Sequence, residues 1–105
     1  MTKPLNNLKE LIEQFIKERN WQQFHDPKNL SCAISIEAAE LMEIFTWVNS
    51  DKSYDTVKEK NKEIRYEIAD IFIATLAFCV SAKIDPEEAI LEKLEEIKKN
   101  IPLKK

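Results

Sequence analysis

The fold class depends most on IFIATLAFCV, the ten residues from Ile71 to Val80. This run is apolar on nearly every side of a helix, so we expect the helix to be buried all round. Ten residues are too few to cross a bilayer, which takes about 20, so the run predicts a core helix of a soluble protein. In a chain of only 105 residues, such burial also predicts that a partner subunit covers part of the helix.

Helical periodicity extends from this run toward the N-terminus. A strongly charged segment from about Asp55 joins the apolar run and predicts one continuous helix over residues 55–82. Before it, apolar residues recur at steps of three or four from Leu30 to Phe45 and predict a helix over about residues 29–48. The polar segment NSDKSYD connects these two helices.

The two ends of the chain supply two further helices. An apolar stripe from Leu8 to Ile16 predicts a first helix that ends near Arg19, followed by a loop over residues 21–28. Asp85 can cap the last helix, and Pro86 fits its first turn. No alternating β-branched strands occur, so we expect an all-α fold: a four-helix bundle in a single domain over residues 1–105, completed by homo-oligomerisation.

Composition excludes several classes of function. Sixteen basic and 19 acidic residues give a net charge of −3, which argues against binding to a nucleic-acid polymer. Glycine is absent, which excludes a Walker loop and a GxGxxG dinucleotide site. One histidine is too few for a His-rich zinc site. Cys32 and Cys79 lie in apolar stretches and fit no CxxC pattern, and no signal peptide is recognisable. We therefore expect buried, reduced thiols in a cytoplasmic protein without membrane contact.

Two pairs of acids are the main candidates for chemistry. Glu37 and Glu40 lie three residues apart on the second predicted helix, and Glu67 and Asp70 repeat that spacing on the third. Antiparallel packing would bring the four carboxylates together, where their charges repel. A divalent cation relieves that repulsion, and ligation by oxygen alone selects Mg²⁺ or Mn²⁺.

The same spacing also has an ordinary explanation. In a chain with 19 acids, such pairs arise by chance on solvated helix faces, as at Glu10/Glu13 and Glu92/Glu95. The apolar flanks of Glu37 and Asp70 favour a paired or metal-bound site instead. From the residues alone both interpretations stay open, and the rival to an enzyme is a non-catalytic helical interaction or nucleotide-binding module.

Four further residues are candidates for substrate contacts. Trp21 and His25 share the predicted loop, and Trp47 lies two turns beyond Glu40. Each tryptophan could pack in a core or interface, or stack on a nucleobase at the mouth of the acidic cluster. His25 alone is more typical of a structural histidine, and Lys93 of a surface lysine.

Two stretches resemble a known family. The segment ERNWQQFHDPKNL (residues 18–30) runs into EAAELMEIFTW (residues 37–47), and the second acidic pair follows. Together they resemble the MazG-like all-α nucleoside triphosphate pyrophosphohydrolases, and within these the dCTP pyrophosphatase branch. The resemblance implies Mg²⁺-dependent hydrolysis of a nucleoside triphosphate, such as dCTP or a related or modified deoxynucleotide, to the monophosphate and pyrophosphate. It also implies a homodimer or a dimer of dimers.

The resemblance assigns roles by position. It implies four Mg²⁺ ligands that are also the catalytic acids, namely Glu37, Glu40, Glu67 and Asp70. It also implies that Trp21, His25 and Trp47 line the nucleotide pocket. Lys93 is implied to contact the phosphates. The chain departs from the branch at Ile12, where a histidine can stand, and at Ala74, where a tyrosine stands. These departures leave the metal ligands intact and make the preferred base an open question.

Overall fold

A computed structural model describes residues 4–101, and every regular element in that range is helical. The all-α prediction is therefore confirmed. The α-helices are α1 (Pro4–Glu18), α2 (Pro27–Ile44), α3 (Ser53–Glu59), α4 (Asn61–Ala82) and α5 (Pro86–Asn100), with 3₁₀ turns at Gln22–Phe24 and Ser50–Lys52.

Helix α4 is the centre of the fold and packs against both α2 and α1. The core joins all three helices, because Ile16 of α1, Leu30 of α2 and Ala77 of α4 pack in one buried cluster. Farther along, Glu37 of α2 approaches Asp70 of α4. Residue numbers thus rise along α2 while those of its α4 neighbours fall, so the two helices are antiparallel, as the convergence of the acids requires.

Acidic caps fix the helix starts near the site. Asp26 Oδ1 accepts the Asn29 backbone N–H at 2.7 Å, so α2 begins at Pro27, two residues earlier than predicted. Asp85 caps α5 as predicted and accepts the Glu88 backbone N–H at 3.1 Å. A capping contact the sequence did not reveal ties α5 to α1, because Glu87 Oε1 accepts the backbone N–H of Leu5 at 2.9 Å.

The predicted continuous helix over residues 55–82 is wrong, because the structure divides it into α3 and α4. Lys60 leaves helical geometry, with φ −113° and ψ 33°, between these helices. Residues 58–63 are all polar, so no apolar contact holds this stretch as one continuous helix against a neighbour. The bundle consequently has five α-helices in the described range instead of the predicted four. Helix α2 also ends at Ile44, before the predicted Val48.

Burial of the central run is incomplete. Leu76, Ala77 and Cys79 are buried, but Phe72 is 54% exposed. An apolar face of α4 therefore lies open in the single chain, and burial of the run on every side by a partner subunit stays a prediction. Cys79 is a buried thiol as expected, whereas Cys32 is exposed on α2. No helix among residues 4–101 is long and apolar enough to span a membrane.

Candidate active site

The antiparallel pairing of α2 and α4 brings three of the predicted acids together. Carboxylate oxygens of Glu37, Glu67 and Asp70 all lie within 4.8 Å of one another. Glu40 lies beside them, since its charge acts on both Glu37 and Glu67. Because one pair projects from each helix at a spacing of three residues, the four carboxylates form one cluster between the helices.

The cluster is electrostatically strained. Burial raises the pKa of Glu37, and the negative charges of Glu40 and Asp70 raise it further. Burial also raises the pKa of Glu67, followed by the close approach of the Glu40 carboxylate. One oxygen of each of these glutamates, Glu37 Oε2 and Glu67 Oε2, is shielded from solvent without a hydrogen-bond partner among residues 4–101. Such unpaired buried oxygens raise the free energy of the folded state unless a positive charge lies beside them.

The donor set fits a hard divalent cation. All of the clustered ligands are carboxylate oxygens, which suit Mg²⁺ or Mn²⁺ better than zinc or copper. Glu37 and Glu67 are half-buried, while Asp70 is exposed, so the cluster is open on one side. A cation held there would satisfy the unpaired oxygens and leave coordination positions for water and phosphate.

An apolar cavity of about 570 Å³ adjoins the Glu37 and Asp70 side of the cluster. Trp21 and His25 both line it, so the structure brings these two predicted residues to the cluster. Trp21 packs edge-on against Phe15, with ring centroids 5.6 Å apart. His25 Nδ1 is buried without a hydrogen-bond partner in the described part of the chain. The cavity therefore combines aromatic and aliphatic surface, which is typical of a small-molecule site.

The two departures from the dCTP pyrophosphatase branch meet in this same cavity. Ile12 of α1 and Ala74 of α4 both line it. At these two positions, where the family resemblance implies a histidine and a tyrosine, this chain has an aliphatic side chain and a methyl group. The cavity wall at these positions is apolar.

A second, more polar cavity of about 470 Å³ borders the other side of the cluster. Glu40 and Glu67 line it, together with Glu63, Lys60 and Trp47. Trp47 follows α2 in a turn and is 95% exposed. The structure therefore does not bring Trp47 to Trp21, because the two tryptophans line different cavities.

Lys93 is not brought to the cluster within this chain. It lies on α5, which packs against α1, and it is exposed and lines neither cavity. Lys60 and Glu63 were missed by the sequence analysis, which assigned them to the solvated part of a continuous helix. Lys60 lies at the break between α3 and α4, and neither proline nor glycine marks that break in the sequence.

Comparison with known proteins decides the family. The model of the MazG-like family matches residues 32–105, which include both acidic pairs. The chain belongs to the MazG-like family. A solved structure of a pyrophosphatase from Archaeoglobus fulgidus superposes with a TM-score of 0.91 at 36% identity, covering 98% of this chain and 96% of that one. The MazG-like match confirms the resemblance drawn from the motifs.

Curated relatives point to the same branch of the MazG-like proteins. The dCTP pyrophosphatase 1 of Rattus norvegicus is 30% identical over 102 residues, covering 94% of this chain. That of Homo sapiens is 28% identical over 100 residues, covering 93%. The chain spans about three-fifths of the length of these relatives, namely 59% of each.

The strain in this MazG-like cluster predicts a specific pH dependence. Raised pKa values mean that the metal-free folded protein holds protons on Glu37 and Glu67 that the unfolded chain releases. In EDTA, the protonated Glu37 and Glu67 carboxyl groups therefore contribute stability at low pH. This contribution is lost as the pH rises from the ordinary pKa range of glutamate through the raised pKa values. We expect Glu37→Gln to unfold at a higher urea concentration than wild type at pH 7.5, with the difference shrinking toward pH 4.

Addition of Mg²⁺ should change the relative stability of wild type and Glu37→Gln. Wild type is expected to gain stability from the cation, whereas Glu37→Gln should gain less because it lacks one charged ligand. Urea denaturation followed by circular dichroism from pH 4 to pH 8, with and without Mg²⁺, measures both effects. If metal-free Glu37→Gln were less stable than wild type at pH 7.5, the claim that the clustered carboxylates destabilise the folded protein would be contradicted.

Proposed function

We propose that this MazG-like chain is a divalent-metal-dependent nucleoside triphosphate pyrophosphohydrolase. The observation that carries the proposal is the carboxylate cluster, which lies between an apolar cavity fit for a base and a polar cavity. The pyrophosphatase names of its relatives support it. The reaction is hydrolysis of the bond between the α and β phosphates, which releases a monophosphate and pyrophosphate.

The four acids Glu37, Glu40, Glu67 and Asp70 would hold Mg²⁺, or Mn²⁺ in its place. The cation supplies positive charge to the triphosphate oxygens and lowers the pKa of water. Glu37 or Glu40 accepts the proton of the attacking water, because a carboxylate beside the reacting phosphate can act as general base. Trp21 and His25 bind the base in the apolar cavity, where burial excludes bulk water from the nucleoside.

The substrate is a deoxynucleotide such as dCTP, or a modified relative of it. The names of the curated relatives support this class. Ile12 and Ala74 offer the base an apolar wall without hydrogen-bonding groups. The free thiols of Cys32 and Cys79 fit the reducing cytoplasm, where nucleotide pools are located.

Self-association completes the proposal. Helices α4 and α5 carry large apolar side chains that the single chain leaves exposed, which favours a second copy as their cover. These residues are Ile68, Phe72, Ile90, Leu91, Leu94 and Ile97. A second copy would also bring its own Lys93, the predicted site residue that lines neither cavity within one chain.

A panel of nucleoside triphosphates tests the proposed function. We expect pyrophosphate release from at least one deoxynucleoside triphosphate in Mg²⁺ and none in EDTA. The ranking of the bases shows how the apolar wall at Ile12 and Ala74 affects selectivity. Absence of turnover across the panel, from a protein shown to be folded and oligomeric, would favour the non-catalytic module instead.

A further inference from the structure

The carboxylate cluster separates two cavities of different chemistry. Glu37 and Asp70 face the apolar cavity, while Glu40 and Glu67 face the polar one. A nucleoside triphosphate has the same division, with an apolar-faced base at one end and the β and γ phosphates at the other. If the base occupies the apolar cavity and the α phosphate lies at the cluster, the two terminal phosphates extend into the polar cavity.

The polar cavity is mostly acidic and contains one cationic side chain. Glu40, Glu43, Glu63 and Glu67 line it, and Lys60 is the sole basic residue among the described residues of its wall. A terminal phosphate entering this cavity meets repulsion from the glutamates that ligate no cation. Lys60 is therefore placed where a phosphate most needs a positive partner.

The Lys60 side chain is available for such a contact. None of the ion pairs or side-chain hydrogen bonds found among residues 4–101 involves its ammonium group. The acidic neighbours in the cavity wall thus do not hold it as a counterion within 4.0 Å.

The backbone of Lys60 is fixed even though its side chain is free. Its N–H donates to the Thr56 carbonyl at 2.9 Å, and its own carbonyl accepts the Ile64 N–H at 2.9 Å. Thr56 and Ile64 are both buried, so the break between α3 and α4 is anchored from either side. The lysine therefore extends from a rigid point toward the cavity, which lowers the entropic cost of a phosphate contact.

We propose that Lys60 binds the β and γ phosphates of the substrate and the pyrophosphate that leaves. This inference rests on the proposed function and adds a phosphate-binding residue from the chain that holds the cation ligands. It differs from the role that the family resemblance gives Lys93, which lies on α5 outside both cavities.

Calorimetric titration with pyrophosphate in Mg²⁺ tests the assignment without turnover. We expect Lys60→Ala to weaken pyrophosphate binding at least about tenfold, because the variant loses a hydrogen bond between charged groups. Binding of a nucleoside monophosphate, which lacks the terminal phosphates, should be unchanged. Lys60→Arg keeps the charge and should retain most of the affinity. Lys60→Gln keeps a polar side chain one methylene shorter without the charge, and it should weaken binding as Lys60→Ala does.

Lys62→Ala is the matched control. Lys62 lies two residues away on α4, and its ammonium lies over the Tyr66 ring, 5.6 Å from the centroid. It carries the same charge but does not line the polar cavity. We expect this variant to bind pyrophosphate like wild type, so a general loss of positive charge cannot account for the effect of Lys60→Ala.

The outcomes separate this inference from the proposed function. Wild-type hydrolysis together with unchanged pyrophosphate affinity in Lys60→Ala and Lys60→Gln would overturn the role of Lys60 alone. Equal weakening of monophosphate and pyrophosphate binding would also overturn it, because a purely structural lysine predicts that result. A wild-type protein that hydrolyses no triphosphate would overturn the proposed function itself.

Discussion

Replacing Asp70 with asparagine is expected to reduce triphosphate turnover at least about 100-fold while the protein stays folded. Asp70 is the exposed member of the carboxylate cluster, and its oxygens lie within 4.8 Å of those of Glu37 and Glu67. Asparagine keeps the size of the side chain but removes its negative charge. The loss of one charged ligand weakens the hold on a cation that supplies several kcal/mol to phosphoryl chemistry, and each 1.36 kcal/mol changes the rate about tenfold.

Glu10→Gln is the control for Asp70→Asn. Glu10 belongs to a pair with the same spacing of three residues, but it lies exposed on α1 and lines neither cavity. We expect Glu10→Gln to retain wild-type turnover. Steady-state kinetics in Mg²⁺, with circular dichroism as the check on folding, compares the two variants. Wild-type turnover by Asp70→Asn would show that the cluster is not the reacting centre.

A charge placed on the open face of α4 should separate the subunits. Phe72 is 54% exposed in the single chain although it lies within the most apolar run of the sequence. A glutamate there would have to be buried if a second copy covers this face, and an unpaired buried charge is strongly unfavourable. We therefore expect wild type to run as a multiple of 12.3 kDa and Phe72→Glu to run as a smaller species or to unfold.

Light scattering coupled to gel filtration measures this change. Tyr54→Glu is the control, because Tyr54 is an exposed aromatic residue on α3 with polar neighbours in sequence, outside the apolar faces of α4 and α5. It should keep the wild-type mass. A wild-type protein that is already monomeric, or a Phe72→Glu variant with unchanged mass, would contradict self-association through this face.

The sequence predicted the parts of the fold that depend on local chemistry. The helix cap at Asp85 was predicted from its residue type and from the proline behind it. The cap at Asp26 was not predicted, although a proline follows it in the same way. Periodic apolar residues located α1, α2 and α5 to within a few residues. The break at Lys60 was missed because no residue there forbids a helix, and the end of α2 was placed too late because Phe45 and Val48 continue the apolar pattern.

The acidic part of the candidate site was predictable, because the spacing of the four acids on two helices is visible in the sequence. Two pairs spaced by three residues could converge if their helices packed antiparallel, and the structure brings acids of both pairs together. Trp47 and Lys93 could not be placed in the same way. Their positions depend on how the turn after α2 and the helix α5 pack, and the family resemblance assigned roles to them without specifying which copy of the chain supplies them. Lys60 was not predicted as a site residue, and it lies at the helix break that was also not predicted.

Identification of the reaction products tests the proposed chemistry most directly. Incubation of wild type and of Glu37→Gln with dCTP in Mg²⁺, followed by phosphorus NMR, distinguishes the bond that breaks. We expect wild type to form the monophosphate and pyrophosphate, with no reaction in EDTA and almost none in Glu37→Gln. Formation of the diphosphate and inorganic phosphate, or equal turnover in EDTA, would contradict a metal-dependent pyrophosphohydrolase at the carboxylate cluster.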